Sequence, residues 1–104
     1  MSQFDNVSVE KKASVYFDGR CVSHTVLFAD GTRKTLGAIM PGSLLTFNVS
    51  VPELMEITTG TCLVKIGDEP EFKTYTVGDK FSISENGHFM IDTNEVVNYV
   101  CSYG

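Results

Sequence analysis

The chain is punctuated by glycine-containing turns at intervals too short for helices. Asp18-Gly19, Asp30-Gly31, Pro41-Gly42, Gly60, Gly67 and Gly78-Asp79 divide it into short runs. Between these turns the apolar residues alternate with polar ones. In residues 20–28, Val22, His24, Val26 and Phe28 fall on one face, and in residues 43–49 Leu45, Phe47 and Val49 do the same. No stretch has apolar residues recurring at the helical period over a useful length. Short alternating runs spaced about 8–12 residues apart predict an all-β sandwich or barrel of about nine or ten strands.

The pattern divides further. Residues 1–12 are polar, end in Glu10-Lys11-Lys12, and read as an N-terminal arm or a first edge strand; residues 13–104 read as the single domain. Strands are expected over 13–17, 20–28, 33–40, 43–49, 53–59, 61–66, 72–77, 81–84, 89–92 and 96–103. Gly37 interrupts the 33–40 run and marks a bulge or a close backbone approach there. Gly60 suggests that 53–59 and 61–66 form a hairpin.

Composition narrows the function. The 104 residues carry a net charge of −5, and their only adjacent basic pairs are Lys11-Lys12 and Arg33-Lys34. That leaves no basic stripe for nucleic acid. No run approaches a membrane span, and the polar start shows no apolar leader, so a cytoplasmic location is the expectation. Cys21, Cys62 and Cys101 are odd in number, form no Cys-x-x-Cys and sit in apolar runs; they read as buried, reduced thiols.

Glu53-Leu54-Met55-Glu56-Ile57-Thr58-Thr59-Gly60 followed by Gly78-Asp79-Lys80-Phe81-Ser82-Ile83 has the skeleton of the two-part cupin signature. The fold expected from it is a cupin-type double-stranded β-barrel, or jelly roll. The His-x-His pair that normally precedes the Glu is replaced by Thr46-Phe47-Asn48-Val49. In the second half the His position falls on Phe89, and the usual Pro and Gly fall on Ser84 and Asn86. Thr46 and Asn48 offer only neutral oxygens and Phe89 offers no donor, so no metal site is expected. Neither His24 nor His88 has a neighbouring ligand at metal spacing. No nucleophile elbow is present, and the glycine spacing of Gly37–Gly42 lacks the lysine of a phosphate-binding loop.

Carboxylate, cation and aromatics remain as candidates. Glu53 shares a strand face with Met55 and Ile57, where a carboxylate needs partners. It either reaches water at the strand end or stands in a barrel mouth and accepts hydrogen bonds from sugar hydroxyls. Arg33 and Lys34 are either a solvated pair or an anion clamp suited to phosphate. Phe47, Phe89 and Tyr99, with Tyr103, are aromatics at strand positions, and one or two could stack on a heterocycle.

Thr32-Arg33-Lys34-Thr35-Leu36-Gly37, Pro41-Gly42, the Pro52–Gly60 run and Tyr99-Val100-Cys101-Ser102-Tyr103, in this order and spacing, resemble the pyrimidine/purine nucleoside phosphorylases across residues 15–103. Ser84 departs from the proline expected there. The resemblance implies a homodimeric cupin barrel that cleaves purine and pyrimidine nucleosides with inorganic phosphate, giving free base and ribose 1-phosphate without a metal or organic cofactor. In such a reaction Arg33, with Lys34 as alternate, would hold phosphate. Glu53, with Thr46 and Asn48 nearby, would hold the ribose, and Phe47, Phe89 or Tyr99 would face the base. The alternative is a metal-free cupin module that binds a small sugar or nucleotide.

Overall fold

Alternation along the chain produces eleven strands and a single 3-10 turn among the described residues, which are 3–42 and 44–103 of the computed structural model. Residues 1–2 of the expected arm, Ser43 at the head of the expected 43–49 strand, and Gly104 lie outside them. The strands are β1 (Ser8–Val9), β2 (Ser14–Tyr16), β3 (Cys21–Leu27), β4 (Arg33–Ile39), β5 (Leu45–Asn48), β6 (Glu53–Thr59), β7 (Cys62–Ile66), β8 (Lys73–Tyr75), β9 (Lys80–Ile83), β10 (His88–Asp92) and β11 (Val97–Tyr103). The count exceeds the expected nine or ten because the N-terminal arm contributes β1, which pairs Ser8 with Leu27 and Val9 with Val26.

All pairings are antiparallel and they build two sheets. One runs β1-β3-β4-β11-β6-β9, with β2 also on β3; the other runs β5-β10-β7-β8. Six links change sheet: β4 to β5, β5 to β6, β6 to β7, β8 to β9, β9 to β10 and β10 to β11. The expected hairpin across Gly60 is therefore replaced by a crossing. Gly60 adopts φ +89°, and a Cβ there would stand 2.7 Å from the Val96 carbonyl oxygen. The tight turn that a hairpin would need instead carries the chain from one sheet to the other.

One apolar core joins the sheets. Ile39, Ile57, Ile83 and Val97 come from the first, Val64, Phe89 and Ile91 from the second, and all are fully or nearly fully buried. Burying each such side chain contributes about 1.5–3 kcal/mol. Phe47 stacks on Phe89 at 5.0 Å, Phe89 meets Phe81 edge-on at 5.5 Å, and Phe81 meets Tyr75 at 4.9 Å. This aromatic chain ties the sheets together, each pair adding about 0.5–1.5 kcal/mol beyond its buried area.

The apolar face expected for β3 is only partly the inner one. Cys21 and Ser23 are buried, whereas Val22 and His24 look onto a shallow groove on the outer side, beside Leu36, Ala38 and Val100. Val26 is buried apart from the main core, where β1 pairs. Ser23 takes an inward position because it lines a cavity rather than packed hydrocarbon. All three cysteines are buried free thiols.

Candidate active site

Cross-strand register assembles the candidate site. At one end of the first sheet Leu27 of β3 opposes Arg33 of β4, Tyr103 of β11 opposes Glu53 of β6, and Glu53 opposes Ile83 of β9. Lys34 opposes Ser102, so Arg33 falls beside Tyr103. The next row inward is Thr35, Cys101 and Met55, and the one after it Gly37, Tyr99 and Ile57. Period-two alternation sends these side chains to one face. Between them and Phe47, Asn48 and Phe89 of the second sheet, with Val49 just past β5, lies a cavity of about 120 Å³ that is partly open to solvent. That is smaller than the roughly 300–1,000 Å³ of a site that encloses a whole drug-sized ligand. A larger ligand therefore keeps part of itself in the open mouth.

The polar wall is a connected network. The Cys101 thiol donates to Glu53 Oε1 at 3.4 Å, and the Thr35 and Tyr103 hydroxyls share a hydrogen bond of 3.1 Å. The Arg33 guanidinium lies 4.1 Å from the Tyr103 ring centroid. Burial pushes the Glu53 carboxyl above the usual carboxylate range, and the Cys101 hydrogen bond and the Arg33 charge pull it partly back. Burial pushes the Cys101 thiol up to about 12, with the Glu53 charge acting in the same direction. Burial also raises the Tyr103 phenol to about 12. The wall thus presents one carboxyl group, two hydroxyls and a thiol as a donor, with the Arg33 cation at its rim. Such a set can hold a polyhydroxylated ligand next to an anion.

Glu53, Phe47, Asn48, Phe89 and Tyr99 line this one cavity, and Arg33 stands at its rim. Lys34 does not join Arg33: the pleat turns it outward, 5.7 Å from the ring of Phe4 and 6.0 Å from that of Phe28. Thr46 is exposed between the inward Leu45 and Phe47 and is not part of the lining. Phe89 is 2% exposed and Tyr99 7%. The Tyr99 hydroxyl reaches Cys21 Sγ at 3.5 Å, and its ring covers Gly37 so closely that a Cβ there would overlap it. Gly37 is a close-approach glycine rather than a bulge, since the β3–β4 and β4–β11 registers run through it unbroken.

Thr35, Cys101, Ser23 and Tyr16 also line the cavity, and none of them is among the site residues expected from the sequence. A signal for two of them is present: Thr35 follows Arg33 by two residues, and Cys101 stands between Tyr99 and Tyr103 at the same spacing. His24 and His88 lie on separate sheets, and among the described residues no three His, Cys, Asp or Glu side chains cluster as metal ligands would.

The chain has relatives along its whole length. A protein of Cupriavidus metallidurans named pyrimidine/purine nucleoside phosphorylase is 58% identical over 104 residues, covering all of both chains. A solved structure from Acinetobacter sp. ADP1, described as a protein of unknown function, superposes with a TM-score of 0.96 at 51% identity over 98% of each chain. Ectoine synthase from P. lautus is similar in fold alone, at a TM-score of 0.70 and 13% identity over 82% of this chain and 64% of that one, and marks the architecture as cupin-like. The family profile described as pyrimidine/purine nucleoside phosphorylase matches residues 11–103, and the chain belongs to that family.

Proposed function

We propose that this protein is a broad-specificity nucleoside phosphorylase acting on purine and pyrimidine nucleosides. The C1′–N bond breaks and its electron pair leaves with the base, a phosphate oxygen forms the new bond to C1′, and the proton that hydrogen phosphate gives up passes to the base. The products are free base and ribose 1-phosphate. The observation that carries the reading is the row Arg33–Tyr103–Glu53, which sets a cation next to a half-buried carboxylate at the opening of a cavity with polar and aromatic walls.

Arg33 binds phosphate, and the Tyr103 ring under the guanidinium fixes its direction. Glu53 accepts hydrogen bonds from ribose hydroxyls, and its charge offsets the oxocarbenium-like charge that develops at C1′. Thr35 and Tyr103 supply further hydroxyl partners, and Asn48 serves the rim. Rate then comes from positioning and electrostatics, without a protein nucleophile. Thr46 and Lys34 have no place in this arrangement.

We further read the two sheets as a cupin-type double-stranded barrel, the protein as a cytoplasmic homodimer, and the reaction as independent of metal or organic cofactors. The test incubates pure protein with uridine or adenosine, with and without phosphate, and measures ribose 1-phosphate. Phosphate-dependent release, lost in Glu53→Gln and unaffected by a chelator, supports the reading. Nucleoside binding with no turnover would favour the metal-free binding module instead. Light scattering at micromolar concentration tests the dimer.

A further inference from the structure

Phe17 and Asp18 are consecutive non-glycine residues in the left-handed region, with φ of 54° and 56°. A bulky side chain rarely adopts that conformation, and such strain persists where the surroundings impose it and function uses it. Here the Phe17 ring meets Phe47 edge-on at 5.1 Å. The contact links the 3-10 turn Phe17–Gly19, which follows β2 on the open edge of the first sheet, to β5, the edge strand of the second. It also sets Tyr16, the preceding residue, along the cavity while leaving it 47% exposed.

The other rings around the cavity are already engaged. Phe89 and Tyr99 are buried, Phe47 is stacked on Phe89 and met by Phe17, and Tyr103 carries Arg33. Among the described residues Tyr16 has no such aromatic or cationic partner. Its position along the sheet also fits. Tyr16 pairs with Cys21 and Arg33 pairs with Leu27, six residues further along β3, or about 20 Å of backbone. Tyr16 lines the cavity at one end and Arg33 stands over Tyr103 at the other, so a heterocycle and a phosphate can lie on opposite sides of one sugar between them.

We propose that Tyr16 is the shelf on which the nucleobase stacks, held across the cavity by the strained Phe17–Asp18 turn. The proposal rests on the nucleoside reading given above. A stacking face accepts purine and pyrimidine alike, whereas hydrogen bonds to base edges would select. Displacement at C1′ requires the base and phosphate to lie on opposite sides of that carbon, which Tyr16 and Arg33 provide.

The experiment compares Tyr16→Ala and Tyr16→Phe with the parent protein. In Tyr16→Ala, KM for adenosine and uridine should rise about fivefold to a hundredfold, adenosine more because its rings overlap a larger area. KM for phosphate and the melting temperature should stay near the parent values, and Tyr16→Phe should restore nucleoside KM. Unchanged nucleoside KM in folded Tyr16→Ala, or an equal rise in phosphate KM, would overturn the shelf. Calorimetric titration with adenosine in the absence of phosphate separates the two proposals. If the parent binds adenosine but still does not turn it over once phosphate is added, the phosphorylase reading fails, yet lost binding in Tyr16→Ala still upholds the shelf. Equal adenosine affinity in both proteins removes it.

Discussion

Replacing Arg33 with alanine should separate phosphate use from nucleoside binding and from folding. The side chain is exposed, and its contact is the Tyr103 ring at 4.1 Å. A cation–π contact at an exposed site is worth about 0.5–1 kcal/mol, so the melting curve should move little. A charged hydrogen bond to phosphate is worth about 1.5–3 kcal/mol. At 1.4 kcal/mol per factor of ten, kcat/KM at limiting phosphate should fall about tenfold to 150-fold. A second signature comes from Glu53. Arg33's charge draws the Glu53 carboxyl downward against burial, so its loss raises that group further. If activity needs the carboxylate, the acid limb of the pH profile should move to higher pH in Arg33→Ala. Arg33→Lys keeps the charge and should keep the limb, while losing part of the phosphate affinity with the guanidinium fork. The assay is a phosphate titration at several pH values beside a thermal melt. A folded Arg33→Ala protein with unaltered phosphate dependence and an unmoved acid limb would refute the assignment.

Glu53→Gln should lose activity without losing stability. The folded carboxyl is raised by burial, so ionising it costs stability above the folded pKa, the cost fades as pH falls toward the unfolded value, and below that it vanishes. The variant should melt at or above the parent temperature at pH 8 and alongside it at pH 4; a melt lowered only at pH 8 would contradict this. Gly37→Ala places a methyl into the buried Tyr99 ring and should cost about 1–3 kcal/mol or more in denaturant melts, less when Tyr99 is first replaced by leucine. The Thr93 hydroxyl lies 2.7 Å from the Glu95 carbonyl and 3.0 Å from the Thr61 carbonyl, and accepts from the Glu95 N–H at 3.2 Å. Thr93→Val should therefore destabilise by about 1–2 kcal/mol in the same melts, with activity per folded molecule unchanged. Cys101, raised to about 12, should resist iodoacetamide at pH 8 in the folded protein; rapid labelling there would show a thiol more open than this geometry allows.

Local patterning makes much of this architecture legible. The limits of β6 coincide with the expected 53–59 run, and Met55 and Ile57 are buried on the face they share with Glu53. The same period-two rule separates Arg33 from Lys34 and Thr46 from Phe47, so alternation alone divides both adjacent pairs into an inward and an outward member. Long-range geometry is not legible in this way. A glycine turn that closes a hairpin and one that crosses between sheets use the same residues, and only the distant partners distinguish them, β9 and β11 for β6 against β8 and β10 for β7. Ser23 is inward because Tyr99, distant in sequence, helps to form a cavity there rather than a filled core. Tyr16 is obscured because its place depends on two left-handed residues that no local preference would favour.

The position of β11 carries a consequence for biosynthesis. It follows the ten other described strands in chain order, yet it lies between β4 and β6 and contributes Tyr99, Cys101 and Tyr103 to the cavity. As the chain emerges from the ribosome, β4 and β6 are made early and must wait with unpaired edges facing each other until β11 arrives. Sheet assembly cannot proceed strand by strand, and the nascent chain spends that interval as a template for foreign strands. A chain stopped before β11 would carry Glu53 and Arg33 on separate, unjoined pieces. A protein with this strand order therefore depends on synthesis through β11 for both its solubility and its chemistry.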